Sequence, residues 1–532
     1  MKVLITDKIN AEAGKILEDV AQVDILPTMP EDELVEKIGE YDALMVRSQT
    51  KVTAKIINAA KNMKIIGRAG VGVDNIDLNA ATEKGIIVVN SPDGNTAAAA
   101  EHTVALMLSM VRNIPQAAAS TKSGAWDRSK FTGTELFGKT LGIIGLGKIG
   151  GRVMKTALAL GMKVVVSDPY TTAETVEKLG GTYIENRDDF WGQCDIITVH
   201  VPKTPETANL INKDTISKMK KGVRLINCAR GGIINEKDLK DALDSGYVAG
   251  AAIDVYENEP NIQECPLLSC EKAVLTPHLG ASTEEAQIKV ALDVANQIKE
   301  VLKGGSASSA VNIPSLKPQK LEPVKDYMQL AENIGEFAKQ ISKGNLKSIE
   351  IKVKGTLSEL DVSPLEIAIL KGVFSSMVEG VNYVNAPLIA KSRNITVSTI
   401  KSQSTTDYIG TISVKLTTDK GEDKVAGALI AQNIKRIVRI NNYTTSIKPE
   451  SHILLVPHIN QPMMIAQVAT AIGKDGLNVN RMQVAQKSGE SNDNESIMII
   501  STQTKVSEET LKHVKSIDGV INAQSVNINV PA

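Results

Sequence analysis

The sequence predicts an α/β protein. Two parallel-sheet units come first, then an α+β unit, then a ferredoxin-like βαββαβ unit. Three observations carry this. Strand-like and helix-like runs alternate through the first hundred residues; the alternation restarts at Lys139; and the last 80 or so residues read strand, helix, strand, strand, helix, strand.

In the first unit the strand candidates are Lys2–Thr6, Ala43–Val46, Ile65–Gly67 and Ile86–Val89, with helical patterns at Ala11–Glu18 and Glu31–Gly39 between them. A long helix is expected over Thr96–Arg112, where Ala-rich first turns allow close packing. From Lys139 the strand candidates are LGIIG, VVVSD, DIITVHV, RLINCA, GAAIDVY and AVLTPH. These are near-continuous apolar runs, as parallel strands buried on both faces require. A helix over Ser282–Lys303 then ends at Gly304-Gly305-Ser306, a C-cap running into a linker. After the Pro-containing stretch Ser315–Pro323, strands are expected at Ile349–Gly355, Ile395–Thr399 and Thr411–Thr417, with helix around Pro364–Val381. A further boundary falls near Lys448–Ser451. Beyond it come HILLVPHI, a helix at Met464–Gly473, NVNRMQV, SIMIIST, a helix at Glu508–Ile517 and AQSVNINV.

The chain has 532 residues, so three to four domains are expected at about 150 residues each. Lys plus Arg (60) balance Asp plus Glu (61), which argues against a generally basic nucleic-acid or membrane-surface binder. Four cysteines without CxxC spacing form neither a disulfide framework nor a zinc site, so no metal is expected. With no signal-like N-terminus and no long apolar run, the expected location is cytoplasmic. Aromatic residues are only 3%, so the cores must be built from aliphatic side chains.

Leu141–Gly145 leads into Gly145-Leu146-Gly147-Lys148-Ile149-Gly150 and then a helix. Gly145 allows the tight turn, Gly147 lets backbone approach a pyrophosphate, and Gly150 allows close helix–strand packing. Phosphates would face the helix N-terminus, whose free N–H groups favour anions. Asp168 ends the next strand, where a carboxylate accepts from a ribose diol and repels a 2′-phosphate, so the expected cofactor is NAD.

Three further groups follow strand candidates of the same unit, at the carboxyl ends where open α/β sheets bind ligands. They are Arg230 in NCARGG, Glu259 in ENEP and His278 in TPHLG. An imidazole can take a hydroxyl proton, a carboxylate can stabilise the imidazolium, and a guanidinium can clamp a carboxylate bidentately. His102 and His200 are weaker candidates, the first in a helical run and the second at another strand end. In the first unit Arg47 and Arg68, planar multi-donor cations beside Gly-rich loops, are suited to an anion.

Gly145–Gly150 with Asp168, NCARGG, DVYENEP and TPHLGAST, in that order, resemble the D-isomer-specific 2-hydroxyacid dehydrogenase family over about residues 1–313. Val46-Arg47-Ser48, Gly67–Asn75 and Asn90–Glu101 most resemble those members that oxidise 3-phospho-D-glycerate with NAD. The resemblance implies a Rossmann-like NAD domain (99–282) inserted into a substrate domain (1–98 and 283–313). Residues 317–450 resemble the intervening domain of the long-form members, and 451–532 an ACT regulatory domain. His278 then matches the proton acceptor, Glu259 its carboxylate partner and Arg230 the substrate-orienting arginine. Lys148, Ile149, Asp168, Val201, Cys228, Asp254 and Gly280 match cofactor contacts, and Arg47, Arg68, Gly70 and Asn95 match substrate contacts. His458, Asn460 and Asn478 match an L-serine site, but Met463 stands where the family usually has Gly. Two readings of that unit stand: a serine sensor, or a fold serving only as a dimer interface. The resemblance also implies a homotetramer. Two other readings of the whole chain are a dehydrogenase for another 2-hydroxy or 2-keto acid and a non-catalytic NAD-sensing scaffold. The intact Arg230–Glu259–His278 set opposes the scaffold.

Overall fold

The computed structural model describes residues 1–404, 408–430, 434–487 and 494–529. Five short strands, β1 (Lys2–Ile5), β2 (Gln22–Ile25), β3 (Ala43–Val46), β4 (Ile65–Arg68) and β5 (Ile87–Val89), form a parallel sheet in the order β2-β1-β3-β4-β5. The sequence patterns foresaw four of them. β2 escaped because it lies at the sheet edge, with no buried residue to give it an apolar signature.

The helix Thr96–Val111 leads the chain into a second sheet. It contains β6 (Thr140–Ile144), β7 (Lys163–Ser167), β8 (Thr182–Tyr183), β9 (Ile196–Val199), β10 (Val223–Asn227), β11 (Val248–Ile253) and β12 (Ala273–Leu275). All seven are parallel, in the order β12-β11-β10-β9-β6-β7-β8. The direction of winding reverses at β6 and β9, so the loops after these strands open a crevice at a topological switch point. The helix Glu284–Leu302 then returns to the first sheet, where Val290, Val294 and Ile298 share a core with Val3, Ile5 and Ile65.

The third sheet is mixed. β13 (Leu346–Gly355), β14 (Thr396–Ser402), β15 (Gly410–Thr418), β16 (Gly421–Ile430), β17 (Ile434–Ile440) and β18 (Tyr443–Ile447) lie in the order β14-β13-β15-β16-β17-β18. Only the β13–β14 pair is parallel. The helices Lys325–Ile341 and Ser363–Ser375 pack on it and cross through two glycines. A Cβ on Gly335 would lie 2.4 Å from the Ile369 carbonyl oxygen, and one on Gly372 would lie 2.1 Å from that of Glu332. Backbone touches backbone at this crossing.

The last sheet joins β19 (His452–Ile459), β20 (Val479–Gln486), β21 (Glu495–Thr502) and β22 (Gln524–Asn527) antiparallel in the order β20-β21-β19-β22. With the helices Met464–Lys474 and Glu508–Lys515 the chain order is the expected βαββαβ. Val530, last residue of the expected AQSVNINV strand, lies outside the described residues. The period of two sorts this sheet into two faces. Leu454, Val456, Met498 and Ile500 pack under the two helices. Ile453, Leu455, Ile497 and Ile499 join Leu330 and Phe337 of the preceding unit in one core. Gln340 ties the seam, its Nε2 donating to the Asn527 carbonyl (2.6 Å) and its Oε1 accepting from the Asn527 N–H (2.8 Å). Among the described residues no helix is long and apolar enough to cross a membrane.

The glycine crossing gives a direct test. Gly372→Ala drives a methyl into backbone, and overpacking of this kind costs about 1–3 kcal/mol. Urea denaturation should show that loss.

Candidate active site

The site assembles at the carboxyl ends of β10, β11 and β12, facing the loops that follow β3, β4 and β5. At its centre is Asp254, one residue beyond β11 and fully buried. Its Oδ1 accepts from Thr276 Oγ1 (2.6 Å) and the Leu279 N–H (2.7 Å), and its Oδ2 from the Gly280 N–H (2.9 Å). His102 Nε2, on the helix that links the two sheets, lies 3.1 Å from Oδ1. Burial pushes the Asp254 carboxyl up, but the hydrogen bonds from His102, Thr276 and Leu279 outweigh it and hold the group below its ordinary value. Both oxygens are thus committed to the chain's own donors.

The Asp254 backbone carbonyl accepts from the His278 N–H (2.8 Å). His278 has φ of 56°, a left-handed conformation that costs a non-glycine residue about 1–3 kcal/mol and persists only where its surroundings over-determine it. Here the surroundings are the bonds to Asp254 on either side of it. The loop so fixed aims the imidazole at Glu259: Nδ1 donates to Oε2 at 2.6 Å, and the other carboxylate oxygen accepts from the Tyr256 N–H (2.7 Å). Desolvation raises the Glu259 pKa, yet the bonds from His278 and Tyr256 bring it below the usual carboxylate range. With Nδ1–H engaged, Nε2 is the nitrogen left to accept a proton.

Arg230 follows β10 and donates from Nη1 to the Ala229 carbonyl (2.7 Å) and from Nε to Asp74 Oδ2 (3.3 Å). Asp74 belongs to the loop after β4, so this pair spans the two sheets. Arg47 and Arg68 stand at the ends of β3 and β4. Burial, together with the neighbouring charges of Arg230 and Arg47, pushes the Arg68 guanidinium down to about 10. Its Nε is buried without a hydrogen-bond partner among the described residues, and so is Asn95 Oδ1. Gly70 makes room: a Cβ there would lie 1.8 Å from Arg68 Nη1. Asp7, buried at the end of β1, holds the Arg47 loop by accepting from the Arg47 N–H (2.7 Å) and the Thr50 N–H (3.1 Å).

The expected cofactor loop follows β6. Gly145 has φ of 92°, where a side chain would also meet the His200 carbonyl at 2.7 Å and Val201 Cγ1 at 2.7 Å. A Cβ on Gly150 would lie 2.2 Å from the Gly145 carbonyl oxygen, whereas nothing lies within 4 Å of one on Gly147. The loop is therefore packed tight on one side and open at Gly147, as an approaching pyrophosphate needs. The helix Lys148–Ala159 starts there with no side-chain cap, leaving its first N–H groups to a ligand. Ile149 lies in its first turn, packed against the core. Asp168 accepts from the Leu146 N–H (2.6 Å) and the Tyr170 N–H (2.7 Å), tying β7 to this loop. The residues fit a dinucleotide. Lys148 pairs with Asp93 of the loop after β5. Cys228, beside the site, is a thiol that burial pushes up to about 12.

The structure thus pairs His278 with Glu259 and sets Arg230, from the same sheet's strand ends, beside the arginines of the first sheet. Desolvation pushes His200 down to about 4, which makes it a neutral, half-buried side chain bonded to Thr198. Four residues escaped the sequence reading: Asp74, Asp7, Asp93 and Thr276. Each meets a partner from another strand's loop, a pairing that spacing along the chain does not reveal. In the last unit His458 is buried, donating from Nδ1 to the Val456 carbonyl (3.0 Å), and Asn478 Nδ2 donates to Gln503 (2.9 Å). Asn460 accepts at its carbonyl from Asn494 Nδ2 (2.6 Å). Met463 takes φ of 69°, the conformation glycine would favour.

Residues 104–280 match the D-isomer specific 2-hydroxyacid dehydrogenase NAD-binding domain, and residues 323–441 the D-3-phosphoglycerate dehydrogenase intervening domain. Among solved structures, a glyoxylate reductase from Paecilomyes thermophila superposes with a TM-score of 0.55 at 31% identity, covering 60% of this chain and 99% of its own. A D-lactate dehydrogenase from Aquifex aeolicus, complexed with NAD and lactic acid, gives 0.51 at 29% identity, covering 57% and 96%. The fold and the cofactor domain are those of an NAD-dependent 2-hydroxyacid dehydrogenase. Proteins called D-3-phosphoglycerate dehydrogenase match almost end to end. The one from Synechocystis sp. is 44% identical over 99% of this chain and 95% of its own, and that from Methanocaldococcus jannaschii 43% over 99% and 100%. The Bacillus subtilis protein is 40% identical over 99% of each. The chain belongs to the D-3-phosphoglycerate dehydrogenase family.

The buried Asp254 carboxylate makes stability depend on pH. A carboxyl held below its ordinary pKa stabilises the fold above that value, and the contribution fades as pH falls through the folded pKa. Asp254→Asn should therefore melt at a lower temperature than wild type at pH 7. The gap should narrow as thermal melts are repeated down to about pH 3.5.

Proposed function

We propose that the protein oxidises 3-phospho-D-glycerate to 3-phosphooxypyruvate, the entry step of phosphorylated L-serine biosynthesis. One observation carries the reading. The half-buried Arg68, whose buried Nε has no partner among the described residues, shares its electrostatic neighbourhood with Arg47 and Arg230, an excess of cation suited to a small multiply charged anion. The names of the near full-length relatives favour the same substrate.

In this reading Arg230 orients the substrate carboxylate, while Arg47, Arg68, Gly70 and Asn95 hold the phosphoryl end and backbone of the substrate. NAD, when bound, supplies the hydride acceptor. Its seat is Gly145–Gly150, with Asp168 for the adenosine ribose, Val201, Cys228 and Gly280 along the crevice, and Asp254 as organiser of the loop beside it. His278 Nε2 takes the proton from the C2 hydroxyl as the C2–H pair departs. Glu259, across Nδ1, stabilises the imidazolium so formed and keeps the ring turned toward the substrate.

The last 80 or so residues read best as an ACT regulatory unit, with His458, Asn460 and Asn478 as the L-serine contacts, in a homotetramer. The βαββαβ order and those side-chain types support it. The left-handed Met463 puts a long side chain where the ligand's approach would be bare backbone.

Initial rates with NAD and 3-phosphoglycerate, with and without L-serine, test the reading. Turnover of the phosphorylated substrate is expected, and its absence alongside turnover of 2-oxoglutarate would overturn the assignment. His278→Ala should lose about 10²–10⁴-fold in kcat while NADH still binds by fluorescence titration.

A further inference from the structure

The crevice holds three guanidiniums but few carboxylates to balance them. Two act on Arg68: Asp74 and Asp7. Asp7 is buried and spoken for. It accepts from the Arg47 and Thr50 N–H groups and from the hydroxyls of Thr28 (2.6 Å) and Thr50 (2.5 Å). Asp74 differs in every respect. Its side chain is 76% exposed, and among the described residues its carboxylate has one donor, Arg230 Nε at 3.3 Å. The contact joins residues 156 positions apart, carried on loops of two different sheets. The backbone has been cleared for it as well. A Cβ on Gly72 would lie 2.2 Å from Arg230 Nη2 and 2.6 Å from Asp74 Oδ2, so both charged groups pass over bare glycine.

We propose that Asp74 is the resident counter-ion of Arg230, a carboxylate that the incoming substrate carboxylate displaces. The inference rests on the reading of Arg230 as a carboxylate clamp. Arg230 has two kinds of partner. The Nη1 bond to the Ala229 carbonyl is made within its own loop and keeps the guanidinium aimed when the other partner leaves. The Asp74 bond is long, solvent-exposed and single, so it yields to a bidentate carboxylate, which forms the stronger pair. An exposed ion pair is easily exchanged, and Asp74 has open water to swing into. Asp74 thereby raises the threshold for entry. A neutral or weakly held molecule leaves the pair intact, whereas an anion that also engages Arg47 and Arg68 takes Arg230 from it. Asp74 is a specificity-setting, positioning residue; it does not touch the reacting atoms.

The test compares wild type with Asp74→Asn and Asp74→Glu at saturating NAD. Asp74→Asn should lower KM for 3-phosphoglycerate about three- to five-fold, the effect falling on KM rather than kcat, and Asp74→Glu should restore the wild-type KM. The inhibition constant of inorganic sulfate should fall in parallel, since sulfate competes for the same guanidinium. An unchanged or raised KM in Asp74→Asn, with sulfate inhibition unaltered, would overturn the proposal. If 3-phosphoglycerate is not a substrate of the wild type, it is the reading of the reaction that fails. Sulfate titration of the NADH-bound enzyme, followed by nucleotide fluorescence, then decides the role of Asp74. Tighter sulfate binding by Asp74→Asn supports the counter-ion, and equal or weaker binding overturns it.

Discussion

The buried carboxylate of Asp254 is the constraint on which the catalytic half of the molecule depends. A fully buried charge is costly unless every lone pair is used, and this one is used from four directions. The cost of burial becomes a demand for geometry. Thr276, Leu279 and Gly280 must turn around a single point, and His278 is carried through the turn in a conformation it would not adopt alone. Through His102 the same carboxylate reaches the helix that connects the two sheets. The orientation of the proton-accepting ring and the placement of the linking helix therefore rest on one atom group.

Much of this was legible in the sequence, for identifiable reasons. Parallel strands covered on both faces leave unbroken apolar runs, so β3, β4 and β6 were found within a residue of their ends. Gly145, Gly147 and Gly150 are a local steric device whose spacing alone states its purpose. His278, Glu259 and Arg230 could be read because each lies in the loop after a strand, and strand ends of one sheet lie along one edge. What escaped was of two kinds. β2, the two-residue β8 and the hairpins β16 to β18 lack a strong alternating signature; β2 and β8 have no buried residue, and β16 carries a run, Val425–Ala428, buried on both faces. Asp74, Asp93 and Asp7 act only through partners from other loops, which no linear spacing encodes.

The histidines show how burial sorts identical side chains. His200 follows a strand as His278 nearly does, but it is half-buried against Thr198 with no carboxylate bonded to it, and desolvation keeps it neutral. His278 stands half-exposed beside a carboxylate. His102, placed on a helix and lightly regarded from sequence, became the third dimension of the Asp254 network. Residue type nominated all three, and only the surroundings distinguished their work.

The seam between the last two units has a consequence for how the chain behaves as a whole. A βαββαβ sheet ordinarily keeps one face to itself or offers it to a neighbour. Here Ile453, Leu455, Ile497 and Ile499 are spent inside the chain, against Leu330 and Phe337, with Gln340 clasping the final strand. The tail is consequently not a detachable appendage. Shortening the chain at its C-terminus would strip a wall from the hydrophobic interior of the unit before it, so proteolytic loss of the end should be felt as loss of solubility well upstream of the cut.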